Sequence, residues 1–154
     1  MPGSQPVSIR LAVADDLPAM AALLAALFAL EHEFAPDPGK QIAGLQATLD
    51  DPRVGQLLVA ELDRQVVGVV NLLWIVSTAI GGPAAILEDF VVDPARRGHG
   101  IGSRLLDEAV RVATEAGRGR LALLTDHDNA PAQRIYERHG FVRSTMLAMS
   151  RPLP

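Results

Sequence analysis

The sequence predicts a single α/β (α+β) domain: one mixed, mostly antiparallel sheet of six to seven strands with about four helices packed on it. Three observations predict it. The chain has 154 residues, about 49% of them apolar and 21% charged, which suits one sizeable core rather than two. Strand-like runs follow one another through the middle of the chain, as in an antiparallel meander. After them strand and helix patterns alternate, the order of α/β units.

The elements follow in order. Residues 7–13 alternate well enough for a first strand, and Ala14-Asp15-Asp16 supplies a helix start. That helix is expected to run to about Glu33 and to stop before Pro36 and Pro38. Residues 41–49 carry a second, shorter helical pattern closed by Asp50-Asp51-Pro52. Runs at 56–62 and 65–76 are rich in β-formers and joined by Asp63-Arg64, which reads as a hairpin. Gly81-Gly82-Pro83 makes the next turn and residues 84–92 another strand. A long helix is expected over 101–116, with Ile101, Leu105, Ala109, Val112 and Ala116 on one face and Arg104, Asp107, Glu108, Arg111 and Glu115 opposite. Gly117 closes it. Residues 120–125 form a short strand, 129–139 a short helix ended by Gly140, and 141–150 one or two final strands. No repeat, linker or low-complexity tract interrupts this single domain, residues 1–154.

Composition narrows the function. A formal charge of −4 argues against nucleic acid, which favours a basic footprint, although Arg96 and Arg97 leave a local basic spot for a small anion. The absence of cysteine excludes disulfides and thiolate nucleophiles and suits a reducing, cytoplasmic setting. The run "LPAMAALLAALFAL" at 17–30 is too short to span a bilayer and is closed by Asp15, Asp16 and Glu31. It lacks the basic flank and cleavage site of a signal peptide, so no membrane partner is expected.

The chemistry concentrates in "DFVVDPARRGHGIGSRLL", Asp89 to Leu106. Pro94 ends a strand because it cannot donate to a ladder. Gly98, Gly100 and Gly102 then leave every second position bare, so a ligand can approach the N–H groups that open the long helix. Strand, glycine turn and helix start make a cradle for a phosphate. A plain tight turn would also use glycines, and the spacing is neither G-x-G-x-x-G nor a P-loop. Arg96 and Arg97, which a mere turn does not need, favour the anion site.

Arg97-Gly98-His99-Gly100-Ile101-Gly102 resembles the R-x-x-G-x-G signature of the GNAT N-acetyltransferase superfamily. "LEDFVV" before it resembles the family's splayed central strand. "NAPAQRIYERHGF", Asn129 to Phe141, resembles its second block, with the Asn, the Tyr and the Gly-Phe at the family's spacings. The order of elements is similar from Ile9 to about Met149. The resemblance implies acetyl-coenzyme A as co-substrate and no metal. It implies that the pyrophosphate lies against Arg97, Gly98, His99, Gly100, Ile101, Gly102 and Ser103, and that the strand at Phe90, Val91 and Val92 pairs with the pantetheine arm. It further implies coenzyme contacts at Asn129, Ala132 and Tyr136, and a homodimer.

Acetyl transfer to an amine sets three tasks: the amine, protonated near neutrality, must lose a proton; the oxyanion needs N–H donors; and the departing thiolate benefits from a proton donor. Glu88, placed with Ile86, Phe90 and Val92 on an apolar strand face, is the candidate base; partial burial is expected to raise its pKa. A structural carboxylate is the other reading. Asp89, on the opposite face, reads as structural. Tyr136, the lone tyrosine, is the candidate acid; packing is its other reading. Asn129 is also a candidate helix cap.

On the acceptor side, "LEDFVV" with "RRGHGIGS" looks closest to the spermidine/spermine-like diamine acetyltransferase branch. Glu31 falls where that branch places a substrate-side carboxylate, while Ala29 and His32 stand where it carries aromatic residues. With Glu31 and Glu88, Glu33 and Asp37 could form an acidic mouth for a cationic amine, or simply a solvated helix end. Trp74 is a candidate pocket wall or a core residue. The scattered His32, His99, His127 and His139, and "DHD" at 126–128, read as solvated rather than metal-binding. The reading is an N-acetyltransferase for a small primary amine, acting by direct attack in a ternary complex. Its rivals are a protein N-terminal or lysine acetyltransferase, a non-catalytic coenzyme A-binding module and a nucleotide-binding protein.

Overall fold

The computed structural model describes residues 6–31 and 34–154. Strand β1 (Ser8–Leu11) enters a 3-10 turn (Ala14–Asp16), followed by helices α1 (Leu17–Phe28) and α2 (Pro38–Asp50). The meander β2 (Gly55–Leu62), β3 (Gln65–Ser77) and β4 (Gly82–Val92) comes next, then a second 3-10 turn (Pro94–Arg96). Helix α3 (Ile101–Glu115), strand β5 (Leu121–Leu123) and helix α4 (Ala130–Arg138) complete the fold.

The strands form one sheet in the order β1-β2-β3-β4-β5, antiparallel throughout except for the parallel β4–β5 pair. It is the mixed, mostly antiparallel sheet expected, with five strands among the described residues in place of six to seven. The final strands expected within 141–150 do not form: no ladder pairs these residues with a neighbour, and Val142, Met146, Leu147 and Met149 stand exposed. Alternating residues need a partner edge before they become a strand.

Two helix layers cover the sheet. Along β3, Val70 and Leu72 face the core under α3 while Val69 faces the core under α1 and α2, the two-residue alternation of a strand. Ile101, Leu105, Ala109 and Val112 bury the expected stripe of α3; Ala116 lies past the helix end and is exposed. Burying each leucine such as Leu105 contributes about 2 kcal/mol. Asp63 and Arg64 take positive φ (51° and 61°) at the hairpin tip, matching a turn whose twist suits the flanking strands. Arg10 ties β1 to its neighbours, donating to Asp16 at 2.7 and 2.9 Å and to Glu61 at 2.6 Å; this hydrogen bonding holds the Asp16 carboxyl below its ordinary range.

Three features shape the region of the candidate site. Helix α1 stops at Phe28, short of the expected Glu33, because the N–H groups of Leu30 and Glu31 bond three residues back, to Leu27 and Phe28, and tighten the last turn. The expectations for His32 and Glu33 lie outside the described residues. The β3–β4 ladder slips by one residue, with Asn71 opposite Asp89 and Leu72 opposite Leu87, so that Glu88 is the extra residue of a β-bulge. Finally β4 and β5 pair only from Ala85↔Leu121 to Leu87↔Leu123. Beyond Leu87 the two strands separate, and the wedge between them opens a cleft.

Candidate active site

The cleft has a volume of about 750 Å³ and lies between β4 and β5, bounded by the start of α3, by α4 and by the end of α1. Its floor is the β4 stretch Glu88–Val92, whose edge has no neighbouring strand on the β5 side among the described residues. Phe90, Val91 and Val92, the residues expected along an extended ligand, all line it.

At one end the chain turns from β4 into α3. Gly98 and Gly100 adopt φ of 79° and 76°, a region L side chains avoid, and a Cβ at either would meet nothing within 4 Å. Gly100 is the N-cap without any side-chain cap, and the first helical bond runs from the N–H of Arg104 to the oxygen of Gly100. The amides of Ile101, Gly102 and Ser103 therefore have no acceptor inside the helix, and they sit at its positive end. Arg97 Nε donates to the Val92 carbonyl at 3.3 Å, fastening the turn to β4. Gly102 has a different reason to be bare: a Cβ there would press within 3.3 Å of Ile135 and Phe90.

Arg97, Gly98, Gly100, Ile101, Gly102 and Ser103 line the cleft together with Arg96. The His99 ring does not; its Nδ1 lies 2.9 Å from the Arg97 carbonyl and 3.3 Å from that of Arg96. On the opposite wall Asn129 and Ala132 also line the cleft, and Asn129 Oδ1 accepts from the Ala132 N–H at 3.3 Å, so the asparagine caps α4. Gln133 Nε2 donates to the carbonyls of Asp126 and His127 at 2.8 and 3.0 Å, fixing the "DHD" loop to α4. Among the described residues no cluster of three His, Cys, Asp or Glu could hold a metal ion.

Tyr136 is buried at the cleft's inner surface between Phe90 and Phe141, each with its ring centroid 5.8 Å away. Burial pushes its phenol up to about 12. Glu88 lines the cleft but departs from expectation. The bulge moves Leu87 onto the face with Phe90 and Val92, and Glu88, as the inserted residue, points into solvent instead of lying partly buried. Its neighbour Asp89 is the desolvated carboxyl, receiving a hydrogen bond from Asn71 at 3.0 Å. Glu31 lines the cleft from the α1 side. Trp74 lies outside it, opposite Ala85 near the far end of β3, with Nε1 donating to the Pro52 carbonyl at 3.2 Å and Arg118 stacked 4.5 Å over its ring. Arg138, Ile135 and Leu27 line the cleft without having been singled out in the sequence; Ile135 and Arg138, three apart on α4, share one face of that helix, a spacing that could have signalled them together.

The Acetyltransferase (GNAT) family model matches residues 20–141. The chain belongs to the GNAT acetyltransferase family. It is 34% identical over 128 residues to the uncharacterized N-acetyltransferase YhfO of Bacillus subtilis (strain 168), covering 81% of this chain and 85% of that one. A putative acetyltransferase from Agrobacterium tumefaciens str. C58 superposes with a TM-score of 0.78 at 27% identity, over 94% of this chain and 99% of that one. The aminoglycoside N-acetyltransferase AAC(6')-Iy, solved in complex with CoA, shares the fold with a TM-score of 0.82 at 20% identity, over 99% and 98% of the two chains.

This GNAT enzyme is an acetyl-CoA-dependent acyltransferase. The residues present fit that donor: unshielded helix-opening amides and two arginines face open space where a diphosphate would be held, and an unpaired strand edge runs from them along the cleft floor.

Proposed function

We propose that the enzyme acetylates a primary amine of a small cationic molecule, with diamines and polyamines the first candidates, by direct attack in a ternary complex. One observation carries this reading: the same cleft has a basic, amide-lined end at Arg97–Ser103 and a carboxylate-bearing side at Glu31 and Glu88. An anionic donor and a cationic acceptor would thus be drawn to different parts of a single cavity.

The thioester brings an activated acyl group; the chain's residues supply position and charge. The β4 edge at Glu88–Val92 can hydrogen-bond an extended, amide-containing arm as an added strand would. A backbone N–H of that edge is also suited to the carbonyl oxygen that gains charge during attack. Glu88, on its bulge, attracts the ammonium and accepts its proton directly or through water. Tyr136, pushed up to about 12, keeps its proton at neutral pH. A thiol titrates near ~8.5, so the phenol steadies the departing thiolate by donating a hydrogen bond and does not give up its proton. The cysteine-free sequence suits action in the reducing cytoplasm.

The test is an acetyl transfer screen with thiol release as readout, using acetyl-CoA and a panel of diamines, polyamines, aminoglycosides, amino acids and peptides. Turnover with small polycationic amines, well above that with peptides, is the expected result. A preference for peptides would overturn the acceptor class, and thiol release that no amine stimulates would overturn the amine chemistry.

A further inference from the structure

Two leucines of the cleft have no task in the chemistry described so far. Leu30 and Leu124 line it, and they are 67% and 80% exposed. Neither belongs to the β4 edge or to the glycine turn that fit the donor, and neither carries charge for an ammonium. Exposed apolar side chains scattered singly over a surface are ordinary. These two border one cavity, and they come from different elements, the end of α1 and the chain just after β5.

The sheet register fixes the place of Leu124. The β4–β5 ladder ends at Leu87↔Leu123, so Glu88 and Leu124 are the first residues on either side of the split. Leu121 and Leu123 pack on the core under α3. Carrying the two-residue alternation one step further turns Leu124 to the other side of the sheet, the side that α1 covers. From that side Leu27, Leu30 and Glu31 also reach the cleft. Leu30 stands on the tightened turn that ends α1, its N–H bonded to the Leu27 carbonyl at 3.0 Å. Phe34, itself exposed, rests on Phe28 with ring centroids 6.1 Å apart and prolongs the apolar surface of this helix end.

The carboxylate of Glu88 thus shares its end of the cleft with Leu27, Leu30 and Leu124. A ligand that suits both kinds of group is charged at one point and apolar beyond it. A densely charged or hydroxylated amine would lay its own polar groups against the leucines, at a cost in lost hydration. A hydrocarbon body would instead take the leucines out of water, strengthening binding about two- to fourfold per methylene. We infer that Leu30 and Leu124 determine acceptor specificity by gripping an apolar body next to the reacting ammonium. The preferred acceptors are then amines with an uninterrupted hydrocarbon stretch: alkylamines, arylalkylamines and, among diamines, those with the longer methylene spacers. The inference rests on the amine acetylation proposed above and narrows its acceptor.

The test measures kcat/KM at saturating acetyl-CoA for straight-chain monoamines from propylamine to octylamine, a series in which charge is constant and hydrocarbon grows. The expected result is a rise of about two- to fourfold per methylene over the first several carbons. It should appear in KM more than in kcat, because the grip is the same before and during attack. Leu30→Asn and Leu124→Asn each replace an exposed side chain, so circular dichroism should match the wild type while the dependence on chain length flattens. Thiol release that is indifferent to chain length in the wild type, or a dependence unchanged in both variants, overturns the apolar grip and leaves amine acetylation standing. Thiol release that no amine of any kind stimulates overturns the amine chemistry and this inference with it.

Discussion

Asn71 Nδ2 donates to Asp89 Oδ2 at 3.0 Å across β3 and β4, beside the bulge that carries Glu88. The oxygen of that amide, Asn71 Oδ1, is buried with no hydrogen-bond partner among the described residues. A protonated Asp89 could donate to it, so the pair is better satisfied with the proton than without. Desolvation pushes the Asp89 carboxyl up to about 6, the bond from Asn71 opposes this, and the charge of Glu88 adds to it.

A carboxyl whose pKa rises on folding contributes stability that is present below its unfolded value and lost as pH rises through the folded one. The interval from 3.8 to about 6 corresponds to at most about 3 kcal/mol at ~1.4 kcal/mol per pH unit. Asp89→Asn keeps a partner for Asn71 and removes the titration. The variant should be more stable than the wild type at pH 8 and equal to it near pH 4, measured by denaturant unfolding across that range. An advantage that does not vary with pH would contradict the assignment.

At Gly100 a methyl group meets no protein atom, yet the backbone sits at φ 76°. Gly100→Ala should therefore cost only about 1–2 kcal/mol of stability, the left-handed penalty for an L residue. It should nevertheless raise the KM for acetyl-CoA tenfold or more, because the methyl group fills the cradle. Thermal unfolding and initial-rate kinetics on one preparation separate the two effects; an unchanged KM would remove the cradle.

Tyr136→Phe keeps the ring between Phe90 and Phe141 and deletes only the hydroxyl. Turnover should fall about 10–100-fold with KM values nearly unchanged and stability altered by less than ~1 kcal/mol. Because burial pushes the phenol up to about 12, the wild-type rate should show no alkaline decline from this group below pH ~10. Full activity in the variant would leave Tyr136 as packing alone.

Glu31→Gln and Glu88→Gln should each raise the KM for a diamine several-fold, with a much smaller effect on acetyl-CoA. The difference should shrink from 0.1 M to 1 M salt as the Debye length falls from about 10 to about 3 Å. Salt-independent losses would point to contact geometry in place of charge attraction.

The glycine turn and helix start from Gly98 to Ile101 were legible because their logic is local. Glycines, arginines and a helix start lie within a few residues, and positions such as Gly100 and Ile101 keep their roles in the fold. Helix α3 was legible for the same reason, since one periodic face fixes it. Glu88 was not. Its orientation depends on a register slip between Asn71 and Leu72, and strand alternation read along one strand cannot reveal an insertion defined by its neighbour. Trp74 packs against the core, the second of its two readings, and does not wall the cleft; the choice turns on Arg118 and Pro52, distant in sequence. The last strands, expected within 141–150, failed because composition along one segment says nothing about which edge is available to it. Helix α1 overshot because its end is set by a tightened turn at Leu30 and Glu31.

The three-residue ladder between β4 and β5 has a bearing on how this molecule comes together. Strands β2 to β4 join through short hairpins, whereas β5 must wait for α3 to cross over and then gains only three ladder pairs. Late, weakly held elements are the first to open in the native ensemble, and here they form one wall of the cavity. Amide exchange in β5 and α4 should consequently be faster than in β2 and β3, and slow sharply once a nucleotide thioester bridges both walls, so that occupancy itself finishes the assembly of this half of the protein.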